Sequence, residues 1–323
     1  MNDAPNRQHH DMGGLPGGPV DPTDHTFAPW QKRIEATARL ALMSPKNRFT
    51  VDQFRRAIEE LPANVYDSLT YFEKWIAALS SLLVSRGVLT QAEVDARVAR
   101  LSAHAEDEHE AHDHGHDHDH DHDHAHAPIR ADEPAGPYQV LADALYAMLV
   151  EKEYFTPAQH RELIEAIDSS GPAAGARLVV RAWTDPAFKR RLLDDGRAAC
   201  KELGISLNEV NLVTVENTER VHNVVVCTLC SCYPVFILGR PPDWYKSAAY
   251  RSRVVREPRA MLDEFGTEIA PGRELRVHDS TADMRYLVLP MRPKGTEGWS
   301  TEQLEKIVTR DTMVGVAECR LRS

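Results

Sequence analysis

The segment VVVCTLCSCYP, residues 224–234, places three cysteines within six positions directly after a run of valines. The valine run predicts a buried strand, and the cysteines that follow it predict a tight loop at the strand end. Thiolates are soft donors that suit transition metals, so the spacing C-x-x-C-x-C predicts one metal ion bound by Cys227, Cys230 and Cys232. We refer to residues 227–232 as the cysteine loop.

Two kinds of donor could complete such a site. Zinc would require a fourth sulfur or imidazole, and the nearest imidazole is His222, five residues upstream on the predicted strand. The main-chain nitrogens of Ser231 and Cys232 could instead give a square-based site with one open position, which suits a strongly bonding trivalent metal. Buried free cysteines, or a redox pair of Cys227 and Cys230, remain alternatives.

The composition excludes several classes of protein. A chain of 323 residues predicts two domains, and its formal net charge of −11 argues against a nucleic-acid surface. No apolar run is long enough to cross a membrane, and residues 1–18 lack the pattern of a secretory signal. Five clustered cysteines do not make a disulfide scaffold, so we expect a cytoplasmic location and read Cys200 and Cys319 as packing residues.

The chain divides into three segments by pattern. Helical spacing of apolar residues predicts an all-helical domain over residues 1–101, which begins with an extended Gly- and Pro-rich arm. Residues 102–137 contain ten of the 16 histidines, mostly alternating with aspartate, and predict a disordered linker. Residues 138–323 predict a layered α/β metal-binding domain, so the fold class is α+β. Its strand-like runs are residues 212–216, 221–226, 275–279 and 285–290.

A weak internal repeat relates the two sides of the linker. The stretches LLVSRGVLTQAEVDARV from Leu82 and MLVEKEYFTPAQHRELI from Met148 share a helix, a turn and a second helix that starts at threonine. In the first copy, Thr90 and Glu93 form a capping-box pattern. We expect the two copies to form similar helix pairs.

Residues 138–316 resemble the α subunit of nitrile hydratase. In that family, threonine after the first cysteine marks the cobalt type, so Thr228 implies one cobalt(III) ion per chain. The resemblance is specific and extends well beyond the cysteine loop. The matching stretches are VVRAWTDPAFKRRLL from Val179, VENTERVHNVVVCTLC from Val215, LGRPPDWYKSAAYRSRVVREPR from Leu238, MRYLVLPMRPKGTEGWS from Met284 and VTRDTMVGV from Val308.

The resemblance also implies a role for each residue of the loop. Cys227, Cys230 and Cys232 would supply sulfur, and Ser231 and Cys232 would supply main-chain nitrogen. Cys230 would be oxidised to the sulfinic acid and Cys232 to the sulfenic acid, which are rungs of the thiol oxidation ladder. The resulting oxygens would lie beside the open metal position, where Cys232 and Ser231 take part in catalysis.

Residues 11–98 resemble the N-terminal half of the nitrile hydratase β subunit. The family's F-R-x-x-I-E motif implies that Arg55 binds the oxidised cysteines, and its aromatic motif implies that Tyr71 donates a proton and orients the substrate. Three simpler interpretations stay open: Arg55 and Arg56 as a solvated helix face, Tyr71 as a packing aromatic and Trp75 as a core residue. The matching stretches are DMGGLPGGPV from Asp11, FTVDQFRRAIEELPANVY from Phe49 and LTYFEKWIAAL from Leu69.

Two departures from the family affect substrate and partner. Val235 follows Cys-Tyr-Pro where the family usually has tryptophan, which implies a differently shaped pocket for a small nitrile. No segment resembles the C-terminal half of the β subunit, so we expect a separate partner subunit to supply it. A cobalt activator protein is a further candidate partner.

The implied activity is hydration of a nitrile to its amide. Thiocyanate hydrolysis at the same kind of centre is the alternative. The histidine tract suggests a third class, a cobalt carrier or maturation protein, because imidazole binds divalent ions. For the tract itself, a linker that collects cobalt and a passive linker are the two hypotheses.

Overall fold

The computed structural model describes residues 8–24, 27–110, 136–207, 211–229, 232–281 and 283–321. The chain falls into two units, which we call the helical unit, Thr26–Ile164, and the sheet unit, Met1–His25 with Glu165–Ser323. The predicted domains at residues 1–101 and 138–323 are divisions of the sequence and stay a prediction. Spatial packing divides the chain differently, because each unit contains segments from both sides of the predicted linker.

The helical unit is built on amphipathic helices whose apolar faces meet. Its core contains Ile34, Leu79, Leu83, Leu145 and Leu149, all fully buried. The helices are α1 Pro29–Met43, α2 Val51–Glu59, α3 Ala63–Ser68, α4 Tyr71–Ser85, α5 Gln91–Glu110, α6 Pro137–Glu151 and α7 Pro157–Ser169, the last of which continues into the sheet unit.

The apolar spacing of residues 66–83 predicts one continuous helix, but the structure has two helices there, α3 and α4. The chain leaves α3 and restarts at Thr70, whose main-chain N–H donates to the Glu73 carboxylate at 2.8 Å. The capping box of Thr70 and Glu73 satisfies main-chain N–H groups that have no partner at the start of a helix. It therefore stabilises the start of a second helix at this point. In contrast, α5 extends to Glu110, beyond the predicted end of the helical domain at residue 101.

The two copies of the weak internal repeat contain similar turns between their helices. Gly87 after α4 and Glu153 after α6 occupy equivalent positions and both have positive φ, 66° and 56°. The turns then close with the same bond, from Val88 N to Leu83 O and from Tyr154 N to Leu149 O, each 2.9 Å. The second helix of each pair begins with a threonine cap, Thr90 with Glu93 and Thr156 with Gln159.

The strands of the sheet unit form two parallel pairs. β1 Asn211–Glu216 pairs with β4 Met284–Leu289, and β2 Val221–Val226 pairs with β3 Glu274–Asp279. In the second pair, Val226 lies opposite Asp279, so both strands end at the same edge. The four predicted strands are confirmed, and this edge is where the cysteine loop begins.

Short helices surround these strands. The mixed architecture confirms the predicted α+β class. The sequence pattern predicts one helix over residues 186–203, but the structure has two helices there. The break is at Asp195, whose carboxylate accepts from Ala198 N at 2.9 Å and caps the second helix. The helices are α8 Ala173–Thr184, α9 Pro186–Asp194, α10 Gly196–Glu202, α11 Val235–Leu238, α12 Asp243–Lys246, α13 Ala248–Arg256, α14 Pro258–Glu264, α15 Thr301–Glu305 and α16 Arg310–Val314.

The predicted disordered linker falls mostly on residues 111–135, which lie outside the described residues. Disorder of residues 111–135 therefore stays a prediction, whereas for residues 102–110 it is wrong, because these residues continue helix α5. Across the described ranges, none of the helices combines the length and the apolar character that crossing a bilayer requires.

Candidate metal centre

The cysteine loop starts from a strand end that is fixed on several sides. Val226 is fully buried, and its carbonyl accepts the N–H of Ser280 at 2.7 Å. The preceding carbonyl, of Val225, accepts the hydroxyl of Tyr250, also at 2.7 Å. Because these bonds leave the end of β2 little freedom, Cys227 enters the loop in a defined position.

Two of the three predicted sulfur ligands are described, and both are buried in the same loop. Cys227 has no exposed surface and Cys232 is 4% exposed. Cys230 and Ser231 lie outside the described residues. Their predicted roles as ligands, and the predicted catalytic roles of Ser231 and Cys232, therefore stay predictions.

Asp279 and Arg251 hold the first residues of the loop. The Asp279 carboxylate accepts both the main-chain N–H of Thr228, at 3.0 Å, and its hydroxyl, at 2.5 Å. The Arg251 guanidinium donates to the carbonyls of Cys227, at 3.3 Å, and Thr228, at 2.9 Å. Thr228 is therefore bonded through its N–H, its hydroxyl and its carbonyl.

A buried phenol holds the other end of the loop. The Tyr245 hydroxyl donates to the carbonyl of Cys232 at 2.9 Å. Burial raises the pKa of Tyr245 well above its usual value, and the neighbouring Cys227 thiol raises it further. Tyr245 is therefore a neutral donor at physiological pH, and it adds no negative charge beside the two cysteines.

The donor set fits a soft transition metal. Within the described ranges, no group of three or more His, Cys, Asp and Glu side chains is arranged to hold a metal ion. His222, the imidazole considered for zinc, has Nε2 2.7 Å from the Gly315 carbonyl and Nδ1 3.4 Å from the Asn217 amide. Both ring nitrogens are thus engaged elsewhere, so the structure gives no support to His222 as a zinc ligand.

The remaining cysteines behave as packing residues. Cys200 is fully buried and Cys319 partly so. Burial raises the pKa of both thiols to about 12, so neither is a thiolate at neutral pH. Their predicted structural role agrees with this environment.

The two residues that follow Cys-Tyr-Pro, Val235 and Phe236, differ in how deeply they are buried. Val235, at the start of α11, is partly buried, whereas the next side chain, Phe236, is 45% exposed. The aromatic side chain in this part of the chain therefore points largely to solvent, and the smaller valine occupies the position after Cys-Tyr-Pro.

Arg55 and Tyr71 belong to the helical unit, and their approach to the cysteine loop stays a prediction. The side chain of Arg55 is only 16% exposed, and it forms ion pairs at 4.0 Å with the carboxylates of Asp52 and Glu59. Arg56 is 76% exposed. The solvated-face interpretation therefore applies to Arg56 and does not describe Arg55.

Tyr71 lies in an aromatic cluster. Its ring centroid is 5.0 Å from that of Phe72 and 5.4 Å from that of Trp75. Trp75 also meets the ring of Phe54 edge to face at 5.5 Å, so Trp75 is largely a packing residue. Tyr71 itself is half-buried, an arrangement compatible with either predicted role.

Sequence reasoning did not identify Asp279, Arg251 or Tyr245 as part of the site. Arg251 and Tyr245 contact the loop through its carbonyl groups, which leave no trace in the spacing of the cysteines. One signal was present for Asp279, because it ends a predicted strand whose parallel partner leads into the loop.

Comparisons with known proteins agree with these features. The family model described as nitrile hydratase, alpha chain, matches residues 137–317, and the model of the nitrile hydratase beta subunit N-terminal region matches residues 7–124. The chain is 54% identical over 176 residues to the cobalt-containing nitrile hydratase subunit alpha of Pseudonocardia thermophila, covering 54% of this chain and 86% of the relative.

Two further relatives match the chain, one a thiocyanate hydrolase subunit and the other a nitrile hydratase β subunit. The thiocyanate hydrolase subunit gamma of Thiobacillus thioparus is 42% identical over 197 residues, which cover 57% of this chain and 81% of that subunit. The nitrile hydratase subunit beta of Pseudomonas putida is 39% identical over 89 residues. That second match covers 26% of this chain and only 40% of the β subunit.

Solved structures give the same result. A recombinant thiocyanate hydrolase with partially modified cobalt centres has a TM-score of 0.55 and 39% identity, covering 58% of this chain and 91% of its own. A double mutant of the Fe-type nitrile hydratase from Comamonas testosteroni Ni1 has a TM-score of 0.53 and 43% identity, covering 55% of this chain and 87% of its own. The chain belongs to the nitrile hydratase family, as a fusion of a β-subunit N-terminal segment with an α chain.

Proposed function

We propose that this chain is the metal-binding component of an enzyme that hydrates a nitrile to its amide at a cobalt centre. The observation that carries the proposal is the buried pair Cys227 and Cys232 in one loop at the end of β2. The high identity to a relative named as cobalt-containing supports the choice of metal.

The proposed ligands are the sulfurs of Cys227, Cys230 and Cys232 and the main-chain nitrogens of Ser231 and Cys232. One bound cobalt(III) would supply a Lewis acid that polarises the nitrile or a water molecule. The protein's part is to fix the loop, with Asp279 and Arg251 at its start and Tyr245 at its end. A loop held at both ends loses little conformational freedom when it binds metal.

Arg55 and Tyr71 complete the proposed site. Arg55 would pair with the oxygens of oxidised Cys230 and Cys232, since a guanidinium fork makes charge-assisted bonds with two oxygens at once. Its low exposure supports this role, because a side chain that is 16% exposed does not lie on a solvated helix face. Tyr71 would donate a proton and orient the substrate.

A partner subunit is part of the proposal. The match to the Pseudomonas putida β subunit covers 40% of that protein, so most of its sequence lies outside the match. We infer a separate chain that resembles the C-terminal half of a β subunit. A cobalt activator protein is a second proposed partner.

The experiment is an assay of the full chain purified with this partner and loaded with cobalt. Aliphatic nitriles, aromatic nitriles and thiocyanate are supplied in parallel, and the products are identified by mass spectrometry. We expect an amide from at least one nitrile and one cobalt per chain. Cys232→Ala should abolish both, and Cys319→Ala is the matched control because Cys319 lies outside the loop. A fully loaded complex that forms no amide would contradict the proposal.

Thiocyanate hydrolysis is the second candidate function. The similarity to the thiocyanate hydrolase gamma subunit, at 42% identity, favours it directly. In the same assay, loss of thiocyanate without amide formation from any nitrile would select this function. The residues proposed to hold cobalt are the same in both cases.

For the histidine tract we propose collection of cobalt for the loop. Deleting residues 104–126 should then lower cobalt occupancy in cells grown with limiting metal, measured as cobalt per purified chain. Unchanged occupancy would leave the tract as a linker only. A chain that carries cobalt but never turns over any substrate would instead favour the carrier or maturation function.

A further inference from the structure

An extended segment near the N-terminus, residues 8–24, lies along helices α13 and α14. We refer to these residues as the arm. Within the sheet unit, Gly14 N donates to the carbonyl of Ser252 at 2.8 Å, and the Arg253 guanidinium donates to the carbonyl of Gly18 at 2.9 Å. Further along, Val20 N donates to a carboxylate oxygen of Glu264 at 2.7 Å. Three hydrogen bonds of the arm's main chain, at Gly14, Gly18 and Val20, therefore hold it on α13 and α14.

The arm also reaches the loop itself. A Cβ atom at Gly13 would lie 3.2 Å from the methyl carbon of Thr228 and 3.3 Å from its Cβ. That spacing is tighter than ordinary van der Waals contact, so an alanine at position 13 would require Thr228 or the arm to shift by a few tenths of an ångström. The N–H, hydroxyl and carbonyl of Thr228 are bonded to Asp279 and Arg251. The arm covers the remaining group of this residue, its methyl group.

Arg251 connects the arm to the loop. Arg251 is 6% exposed, and its Nη2 lies 2.9 Å from the Thr228 carbonyl and 3.4 Å from the His10 carbonyl. Nε of the same group donates to the Cys227 carbonyl at 3.3 Å. One rigid planar cation therefore bonds to the first two residues of the loop and to the arm, which the flexible ammonium of lysine could not do.

We propose that Arg251 and arm residues 10–14 act together as a positioning device for the cysteine loop. The arm, which has β-subunit sequence, thereby helps to set the geometry and metal retention of a loop that has α-subunit sequence. The proposal rests on the proposed function only for the identity of the metal. Because coupling between two binding events is reciprocal, a bound metal should also hold the arm more firmly.

The first test uses the arm alone. Gly13→Ala should displace Thr228 and speed the release of cobalt to a chelator several-fold. Gly18→Ala is the matched control, because a Cβ at Gly18 meets no atom within 4 Å. Adding Thr228→Ser to Gly13→Ala removes the methyl group and should restore part of the retention, relative to Thr228→Ser alone. Equal release rates for Gly13→Ala and Gly18→Ala would overturn the proposal.

A second measurement does not depend on metal or activity. Hydrogen exchange at the Gly14 amide in the metal-free full chain reports whether the arm is docked, since that amide is bonded to Ser252. Gly13→Ala should raise its exchange rate, and Gly18→Ala should leave it unchanged. Cobalt added to the wild-type chain should slow it. If the wild-type chain binds no cobalt, the proposed function fails while exchange in the metal-free variants still decides the docking.

The third test addresses Arg251. Arg251→Lys keeps the charge but loses the fork, so it should weaken cobalt binding by about 10- to 100-fold, as other groups that orient metal ligands do. It should also shift the thiolate-to-cobalt charge-transfer band, which a general loss of stability would not move. A Lys variant with the wild-type band and affinity would remove Arg251 from the device. If Arg251→Lys does not fold, the Gly13 series decides.

Discussion

Asp279 is the residue on which the start of the cysteine loop most directly depends. Both of its carboxylate oxygens accept hydrogen bonds from Thr228. Asn has one acceptor oxygen, so Asp279→Asn should lose one of the two bonds, at a cost of about 1 kcal/mol or a roughly fivefold weaker cobalt affinity. The measurement is a competition titration with a chelator. Asp263→Asn, on the exposed side of α14, should match wild type. Equal affinities for both variants would show that Thr228 is held by other groups.

Arg55 and Arg56 form a natural pair for testing the second predicted side chain. They are neighbours on α2, but Arg55 is 16% exposed and Arg56 is 76% exposed. If Arg55 stabilises charge at the oxidised cysteines, Arg55→Gln should lower kcat by about 100-fold or more, as loss of one such donor commonly does. Arg56→Gln should change kcat little. Steady-state kinetics on the cobalt-loaded complex checks this, and similar losses in both variants would count against a specific role.

Among individual residues, those that can be predicted from sequence are those whose side chains recur at a spacing typical of one kind of site. Cys227 and Cys232 are such residues, because three thiols in six positions have few structural explanations. Arg251 is different, since it acts on main-chain carbonyls from a helix distant in sequence. A carbonyl is present at every position, so no pattern of side chains reveals which ones are bound.

Gly315 sets how α16 packs on β2. Its φ is 90°, and a Cβ there would fall on the carbonyl oxygen of Asn223. Gly315→Ala should therefore add overpacking of about 1–3 kcal/mol to the cost of a left-handed alanine. Gly295 is the control, because its φ is 86° and an added Cβ would meet no atom within 4 Å. Gly295→Ala should therefore show only the cost of a left-handed alanine. The difference between the two alanine variants in urea unfolding should be positive, and a difference of zero would mean that α16 can shift freely.

Glu153 is the strained half of the internal repeat. Its φ is 56°, whereas the equivalent residue of the other copy is glycine. Glu153→Gly should relieve this strain and raise the unfolding midpoint by about 2–4 °C. The exposed contact of Glu153 with Lys46 contributes little and its loss should not reverse the gain. Lys46→Met, which removes the same contact without altering residue 153, separates the two effects. A lower midpoint for Glu153→Gly would show that the contact matters more than the backbone.

Long periodic elements and strands were predictable, and interruptions within them were not. Thr70 and Asp195 each begin a new helix inside a stretch whose apolar spacing runs on. Helices such as α11 and α12 span about one turn, too short for any periodicity to appear. They are stabilised by packing around the strands, which is information that lies outside their own sequence.

The stability of the whole molecule should fall on mild acidification. Burial lowers the pKa of His160 in the helical unit and of His222 and His278 in the sheet unit. In the unfolded chain these groups bind protons near pH 6.5, while in the folded chain they resist doing so. Stability is therefore complete above about pH 6.5 and is lost progressively below it.

The measurement is the unfolding midpoint of the metal-free full chain at about pH 7.5 and about pH 5.5. We expect a lower midpoint at the acidic pH, and a smaller change in His160→Gln, which removes one of the three groups. His160 packs against Phe155 and lies 3.1 Å from the Thr37 hydroxyl, so the variant is compared with itself across pH. A midpoint that rises on acidification would contradict the direction of these pKa shifts.

The distribution of each unit over both sides of the predicted linker has a consequence for assembly. The arm at residues 8–24 is separated in sequence from the rest of the sheet unit, and α6 follows the linker yet belongs to the helical unit. Each unit thus includes a segment from the other side of the linker, and both segments belong to one polypeptide. A search that would be bimolecular for two chains becomes unimolecular, with an effective concentration set by the tether. Maturation of the cysteine loop should therefore proceed at a rate independent of protein concentration, up to the step at which the partner subunit joins.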